Sequence, residues 1–111
     1  MKPLFEDSNY RVVAKDGVGI LYFKDEFIRN LGVCWNVFDP THNKEGVFKK
    51  GSTIFSIEVT DGTRLVRAPI RMENVSLDPV FADNPHRITP EMPVLRFNFS
   101  KEDLNNALPG L

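Results

Sequence analysis

Two histidines, one cysteine and scattered carboxylates are the residues of this chain with the plainest chemical capacity. A transition-metal centre needs several imidazole, thiolate or carboxylate ligands converging on one point. His42 and His86 stand far apart in the sequence, each in a stretch that reads as loop, and are expected to be surface histidines. Cys34 sits in the apolar run Val33-Cys-Trp-Asn-Val-Phe38, with no neighbour that would lower its pKa. It reads as an inert buried thiol, not a nucleophile. Asp25-Glu26 and Glu102-Asp103 fall where helices begin, and the helix dipole accounts for acids there. The glycines stand singly at turns, so no phosphate cradle is present. Arg64, Arg67, Arg71 and Arg87 form a loose basic group without the interleaved aromatics of a nucleic-acid surface. They read as a solvated sheet face that an acidic partner could meet. Phe48, Phe55, Phe97 and Phe99 read as core. No active site assembles from these residues, so neither catalysis nor a metal is expected.

Composition supports a plain globular chain. The 111 residues fit one domain spanning 1–111 that can bury a real core without disulfide or metal. A net charge of −1 gives no global field to attract nucleic acid or an anionic membrane. The lone cysteine rules out an internal disulfide and agrees with a reducing compartment. No apolar run approaches the roughly 20 residues of a membrane span, and the first residues show no targeting segment. A cytoplasmic location is the expectation.

The elements that would position any site are short strands. Tyr10-Arg-Val-Val-Ala14 stops at Asp16-Gly17, a dipeptide suited to a two-residue hairpin, and Val18 to Phe23 returns. Phe23, Phe27, Ile28 and Leu31 are spaced for one helical face, so a short helix is expected over 24–31 with Gly32 as C-cap. Strand character resumes over 33–38, a loop covers 41–46, and 47–52 reads as a brief strand into a turn. Thr53 to Val59 is the clearest strand: Phe55, Ile57 and Val59 share one face, and Ile54, Ser56 and Glu58 the other. Thr60-Asp61-Gly62-Thr63 is read as a second Asp-Gly hairpin, Arg64 to Ala68 runs back, and Pro69 should end or bend that strand. A strand is expected over 70–77, a long crossing loop with four prolines over 78–93, and a last strand over 94–99. Ser100 should cap a C-terminal helix that ends before Pro109. Many short strands with frequent turns predict a sandwich or flattened barrel.

Several segments together resemble the glycine cleavage system H protein family. Val18-Gly-Ile-Leu-Tyr-Phe-Lys-Asp-Glu-Phe-Ile-Arg-Asn-Leu-Gly32 is similar to the segment in which Val-Gly-Ile leads into a short helix ending in Leu-Gly. Lys49-Lys-Gly-Ser-Thr-Ile-Phe-Ser-Ile-Glu58 resembles the strand that precedes the lipoyl lysine, and Ala68-Pro69-Ile70 resembles the Ala-Pro-Val step after it. Val75 to Pro85 resembles the family's Val-Asn-x-x-Leu-x-x-x-Pro region, Ile88-Thr-Pro90 its Leu/Ile-Asn-x-x-Pro approach to the last strand, and Asp103 to Leu108 its C-terminal helix. The likeness runs from about Tyr10 to Leu108, and the order and spacing of these segments carry it. The family's Gly-Gly-Trp before the last strand is missing; Met92-Pro93-Val94 occupies that region.

The resemblance implies a mostly β, lipoyl-domain-like flattened barrel or sandwich, with a short inserted helix and a C-terminal helix. It also implies a lipoate amide on a lysine near the hairpin tip, where this chain has Asp61. No lysine occurs from Val59 to Leu77, and Lys49 and Lys50 lie before the strand, at its other end. A carboxylate side chain cannot form that amide, so no lipoate or other cofactor is expected. The expectation is an H-protein-like module acting as a non-catalytic protein-binding or structural domain. Its candidate interaction tip is Thr60, Asp61, Gly62, Thr63, Arg64 and Arg67, with a protein as possible partner. The alternatives are a genuine lipoyl and aminomethyl carrier modified at another lysine, and a small-molecule-binding β barrel.

Overall fold

Turn chemistry and alternation build the first part of the chain as its residue types dictate. The computed structural model describes residues 3–38 and 46–99. After a short strand β1 (Phe5–Glu6), strands β2 (Tyr10–Lys15) and β3 (Val18–Phe23) pair in an antiparallel hairpin closed by Lys15 opposite Val18. Asp16 and Gly17 form its turn, both with positive φ (53° and 80°), as a type I′ turn requires. Helix α1 (Asp25–Leu31) follows, with Asp25 and Glu26 in its first turn. Leu31 is buried and Phe27 packs on Tyr10 and Phe23 at ring separations of 5.0 and 4.7 Å, so the expected helical face is the one that docks. Gly32 ends the helix at φ 73°, a conformation open to glycine.

The remaining elements are β4 (Cys34–Phe38), β5 (Val47–Phe48), β6 (Thr53–Val59), β7 (Gly62–Arg67), β8 (Met72–Leu77), α2 (Pro79–Asp83), a 3₁₀ turn (Pro85–Arg87) and β9 (Pro93–Asn98). They complete two antiparallel sheets. One has six strands in the order β1-β2-β3-β9-β8-β5; the other has three, β4-β6-β7. A single apolar cluster joins them, with Val12, Leu21, Phe23, Leu95 and Phe97 from the large sheet and Ile54, Phe55, Ile57 and Val66 from the small one. This is the mostly β, lipoyl-domain-like flattened barrel that the sequence suggests.

The 78–93 segment differs from the expected loop. It contains α2 and the 3₁₀ turn, and it closes the gap between the sheets. Phe81 is fully buried and stands edge-on to Phe23 of the large sheet (5.7 Å) and to Phe55 of the small one (6.0 Å). Asp78 caps the helix by accepting from the Val80 N–H at 2.9 Å, and Pro79 supplies the first helical residue. The Asp78 carboxylate also accepts from Arg96 Nη1 of β9 at 2.6 Å. Burial by itself would raise the Asp78 pKa, but the Arg96 hydrogen bond and charge and the Val80 N–H outweigh it and hold it below the usual aspartate value.

On the opposite side, Tyr10 of β2 joins the sheets. Its hydroxyl is hydrogen-bonded to the backbone of Arg67 in β7. Burial pushes this phenol up to about 12, so it stays protonated at neutral pH. Within the large sheet, Gly19 lies opposite Phe97, and a Cβ there would overlap the ring. Glycine is therefore required by close approach, not by backbone angle. The expected C-terminal helix and the 41–45 part of the expected loop, including His42, lie outside the described residues.

Candidate functional site

The second hairpin is held from beneath by the small sheet's buried face. Phe55, Ile57 and Val59 of β6 are buried and Glu58 is exposed, as alternation predicts. Ile54 departs from the expected pattern, because it is fully buried as well. A bulge explains this: Thr53 faces Arg67 and Phe55 faces Val66, so two residues of β6 oppose one step of β7 and Ile54 turns inward.

The tip also differs in detail. Val59 faces Gly62 and Glu58 faces Thr63, so the turn residues are Thr60 and Asp61, one position earlier than an Asp-Gly turn would place them. Gly62 opens β7 at φ 134°. The Asp-Gly register would set Ala68 against Phe55. The observed register sets the larger Val66 there, and both side chains are buried. Cross-strand apolar packing thus overrides the local turn preference.

Thr60, Asp61, Gly62, Thr63, Arg64 and Arg67 are all exposed, and the hairpin brings them together. Among the described residues Arg64 reaches the Thr63 carbonyl (3.5 Å) and Arg67 the Gly51 carbonyl (3.4 Å). Glu58 stands opposite Thr63 and Asp61 follows Thr60; the tip offers recognition chemistry, with one carboxylate at the apex, two hydroxyls and two guanidinium groups behind it. Lys49 and Lys50 precede β6, roughly 20 Å from the tip along the strand.

The outer face of the small sheet carries apolar side chains that the alternation of β6 alone does not reveal. Phe38, Ser56 and Leu65 lie in one row across the three strands, and Asn36, Glu58 and Thr63 in the next. Phe38 and Leu65 are about half exposed, and Trp35 is 65% exposed. Trp35 falls in a second bulge, between Cys34 facing Val59 and Asn36 facing Glu58, and stands exposed within a largely apolar run. The polar Asn36 inside that run was the available signal.

Other candidates resolve as structural. Cys34 is buried, and burial pushes its thiol pKa up, as an inert thiol requires. Arg71 pairs with Glu73 at 3.0 Å. His86 and Arg87 are exposed in the 3₁₀ turn. Phe48, Phe55 and Phe97 are core. A surface cleft of about 390 Å³ lies near the first hairpin. There Lys24 pairs with Glu6 at 3.1 Å and Arg11 stacks over the Tyr22 ring at 4.9 Å, so its cations already have partners. Among the described residues no group of three or more His, Cys, Asp or Glu is placed to hold a metal ion, and no helix is long and apolar enough to cross a membrane.

No family model matches the chain, and no curated protein matches it. Among solved structures, the chain is similar to the crystal structure of a glycine cleavage system H protein from Mycobacterium marinum. The TM-score is 0.68 at 12% identity, and 92% of each chain is covered. At that identity the likeness concerns the fold, and it spans nearly the whole of both chains: this chain has the fold of an H protein.

Proposed function

We propose that this chain is an H-protein-like module without a lipoyl-attachment lysine, acting as a single non-catalytic protein-binding or structural domain. One observation carries the reading. On an H-protein fold, the tip between β6 and β7 consists of Thr60 and Asp61, and no lysine occurs from Val59 to Leu77. Asp61 then takes the position of the lipoyl lysine, and its carboxylate cannot be acylated by lipoate. The module carries no cofactor and works in the cytoplasm. Its partner is a protein that meets Thr60, Asp61, Thr63, Arg64 and Arg67, with a salt-sensitive affinity because the tip is charged and exposed.

Intact mass after co-expression with a lipoate ligase tests the first half of this reading. The mass stays unchanged, and Asp61→Lys gains a lipoyl adduct if the hairpin still suits the ligase. An adduct on the unsubstituted chain would establish a carrier modified at another lysine and overturn the proposal. The second half is tested by affinity capture from the native host with the Asp61→Ala/Arg64→Ala variant, its fold checked by circular dichroism. Bound proteins are lost if the tip is the interface; retention at unchanged affinity rejects it.

A further inference from the structure

The returning strand of the second hairpin, β7, turns one backbone side away from β6. Among the described residues β7 is the edge strand of its sheet. In an antiparallel ladder, successive residues turn their backbone groups alternately toward one neighbour and the other. The Arg67 backbone turns away from β6, to the Tyr10 hydroxyl. The β6 bulge adds no residue to β7, so the same alternation turns the N–H and C=O of Leu65 and Thr63 outward. Unpaired strand edges are templates for another strand. Arg64 and Arg67 bracket this stretch. Neither forms an ion pair among the described residues, and the hairpin's own carboxylates, Glu58 and Asp61, are not paired with them. Arg64 lies opposite Ile57 and so belongs to one face of the strand. Arg67 shares the other face with the half-exposed Leu65.

We propose that the β7 edge docks an extended acidic segment of a partner protein, which adds as an antiparallel fourth strand to the small sheet. This rests on the reading of the hairpin as a protein-binding tip, and it specifies the partner's chemistry. Cross-strand partners share a face. The Tyr10 hydroxyl occupies the edge at Arg67. A segment that pairs from Val66 onward therefore has one acid just before the ladder, within reach of the Arg67 side chain, its next residue opposite Val66, an apolar residue opposite Leu65 and a second acid opposite Arg64. The motif is acid, any residue, apolar, acid. Main-chain bonds to Thr63 and Leu65 supply affinity, and the alternating side chains supply selectivity. Carboxylate–guanidinium pairs form here with charge-assisted hydrogen bonds. A second copy of this chain is a poorer occupant, because its β7 would bring two more arginines to an edge that already holds two.

The probe is a blocked, fluorescently labelled peptide, Thr-Val-Glu-Thr-Leu-Glu-Val-Thr, with a control in which lysines replace both glutamates. The acidic peptide binds by anisotropy and slows amide exchange at Thr63 and Leu65; the lysine peptide does not bind. Arg64→Glu/Arg67→Glu weakens the acidic peptide by about tenfold or more and gains binding of the lysine peptide, which a misfolded variant could not do. Leu65→Pro abolishes binding while leaving the β6 ladder intact, because the N–H it removes points outward. Three results would overturn the proposal: no binding of the acidic peptide at millimolar concentration, equal binding of both peptides, or self-association that protects the same two amides without peptide. These outcomes do not depend on lipoylation. An adduct found by mass therefore refutes the non-carrier reading by itself, and loss of captured proteins on changing the tip, without peptide binding, refutes only the edge.

Discussion

The two hairpins of this chain contain the same dipeptide and use it differently. In the first, Asp16 and Gly17 are the turn, both at positive φ, and both strands lie inside the six-stranded sheet. In the second, Asp61 is the last turn residue and Gly62 the first residue of the returning strand, which stays at an edge with only Val66 buried. The turn sequence proposes a register, and packing along the strands decides it. Where both strands are enclosed, the turn's own preference and the packing agree. Where one strand is presented to solvent, the few buried contacts it makes, chiefly Val66 on Phe55, take precedence. A hairpin with one enclosed and one exposed strand is also the one able to offer side chains and backbone to another molecule.

The contrast can be broken most severely at its packing anchor. Phe55→Ala is expected to destabilise the protein by about 3–5 kcal/mol in urea unfolding, because Phe55 is 1% exposed and its ring meets Phe81. A loss within error would mean that packing does not set the second register. The first hairpin's anchor is Gly19. Gly19→Ala should cost about 1–3 kcal/mol, since the new methyl group overlaps the Phe97 ring. An unchanged melting temperature would show that β3 and β9 can separate without cost.

The turns themselves provide a sharper and smaller test. Asn tolerates the left-handed region that Gly17 occupies at φ 80°, so Gly17→Asn should change stability by no more than about 0.5 kcal/mol. Gly62 lies well beyond that region at φ 134°, and Gly62→Asn should cost about 1–2 kcal/mol. Equal effects would mean that the two turns share one geometry after all. A further effect of similar size distinguishes the large sheet by its pH response. Arg96 lies opposite Ile20 of the first hairpin, and its carboxylate partner is Asp78. Asp78→Asn keeps the cap and loses the ion pair, at about 1 kcal/mol because Arg96 is half exposed. The folded-state pKa of Asp78 is depressed, so this contribution is fully present above the unfolded value of about 4 and is lost as pH falls through the folded value. Urea midpoints of the two proteins should therefore converge on acidification; a constant gap would remove Asp78 as the titrating group.

The strands, the inserted helix and the buried face of β6 were legible because each rests on a local period or a turn signal. The failures share a cause. Ile54 was assigned to the wrong face because it lies at a bulge, and one extra residue reverses every face beyond it. The turn of the second hairpin was misplaced by one residue because the deciding contact, Val66 with Phe55, is not local. Helix α2 was missed because five residues are too few to show a period, although Asp78-Pro79 already carried a cap and a helix-compatible proline. At the site, the tip residues were readable from their turn. The edge position of β7, and arginines that meet no carboxylate among the described residues, depend on which strand lies beside β7, and no short stretch of sequence records that.

The order of strands in the large sheet is also a timetable. β9 lies between β3 and β8, so the last of the described strands to be synthesised is the one that joins the first hairpin to the second half of the sheet. Until Pro93–Asn98 has left the ribosome, the sheet exists in two unjoined pieces, each with an open edge facing the place β9 will fill. The hairpins can close early, because their contacts span few residues, but the barrel waits for a contact between Gly19 and Phe97 that spans most of the described chain. Such long-range closure slows folding. Those waiting edges, not the permanent one at β7, are where a nascent or truncated chain is most exposed to pairing with the wrong strand.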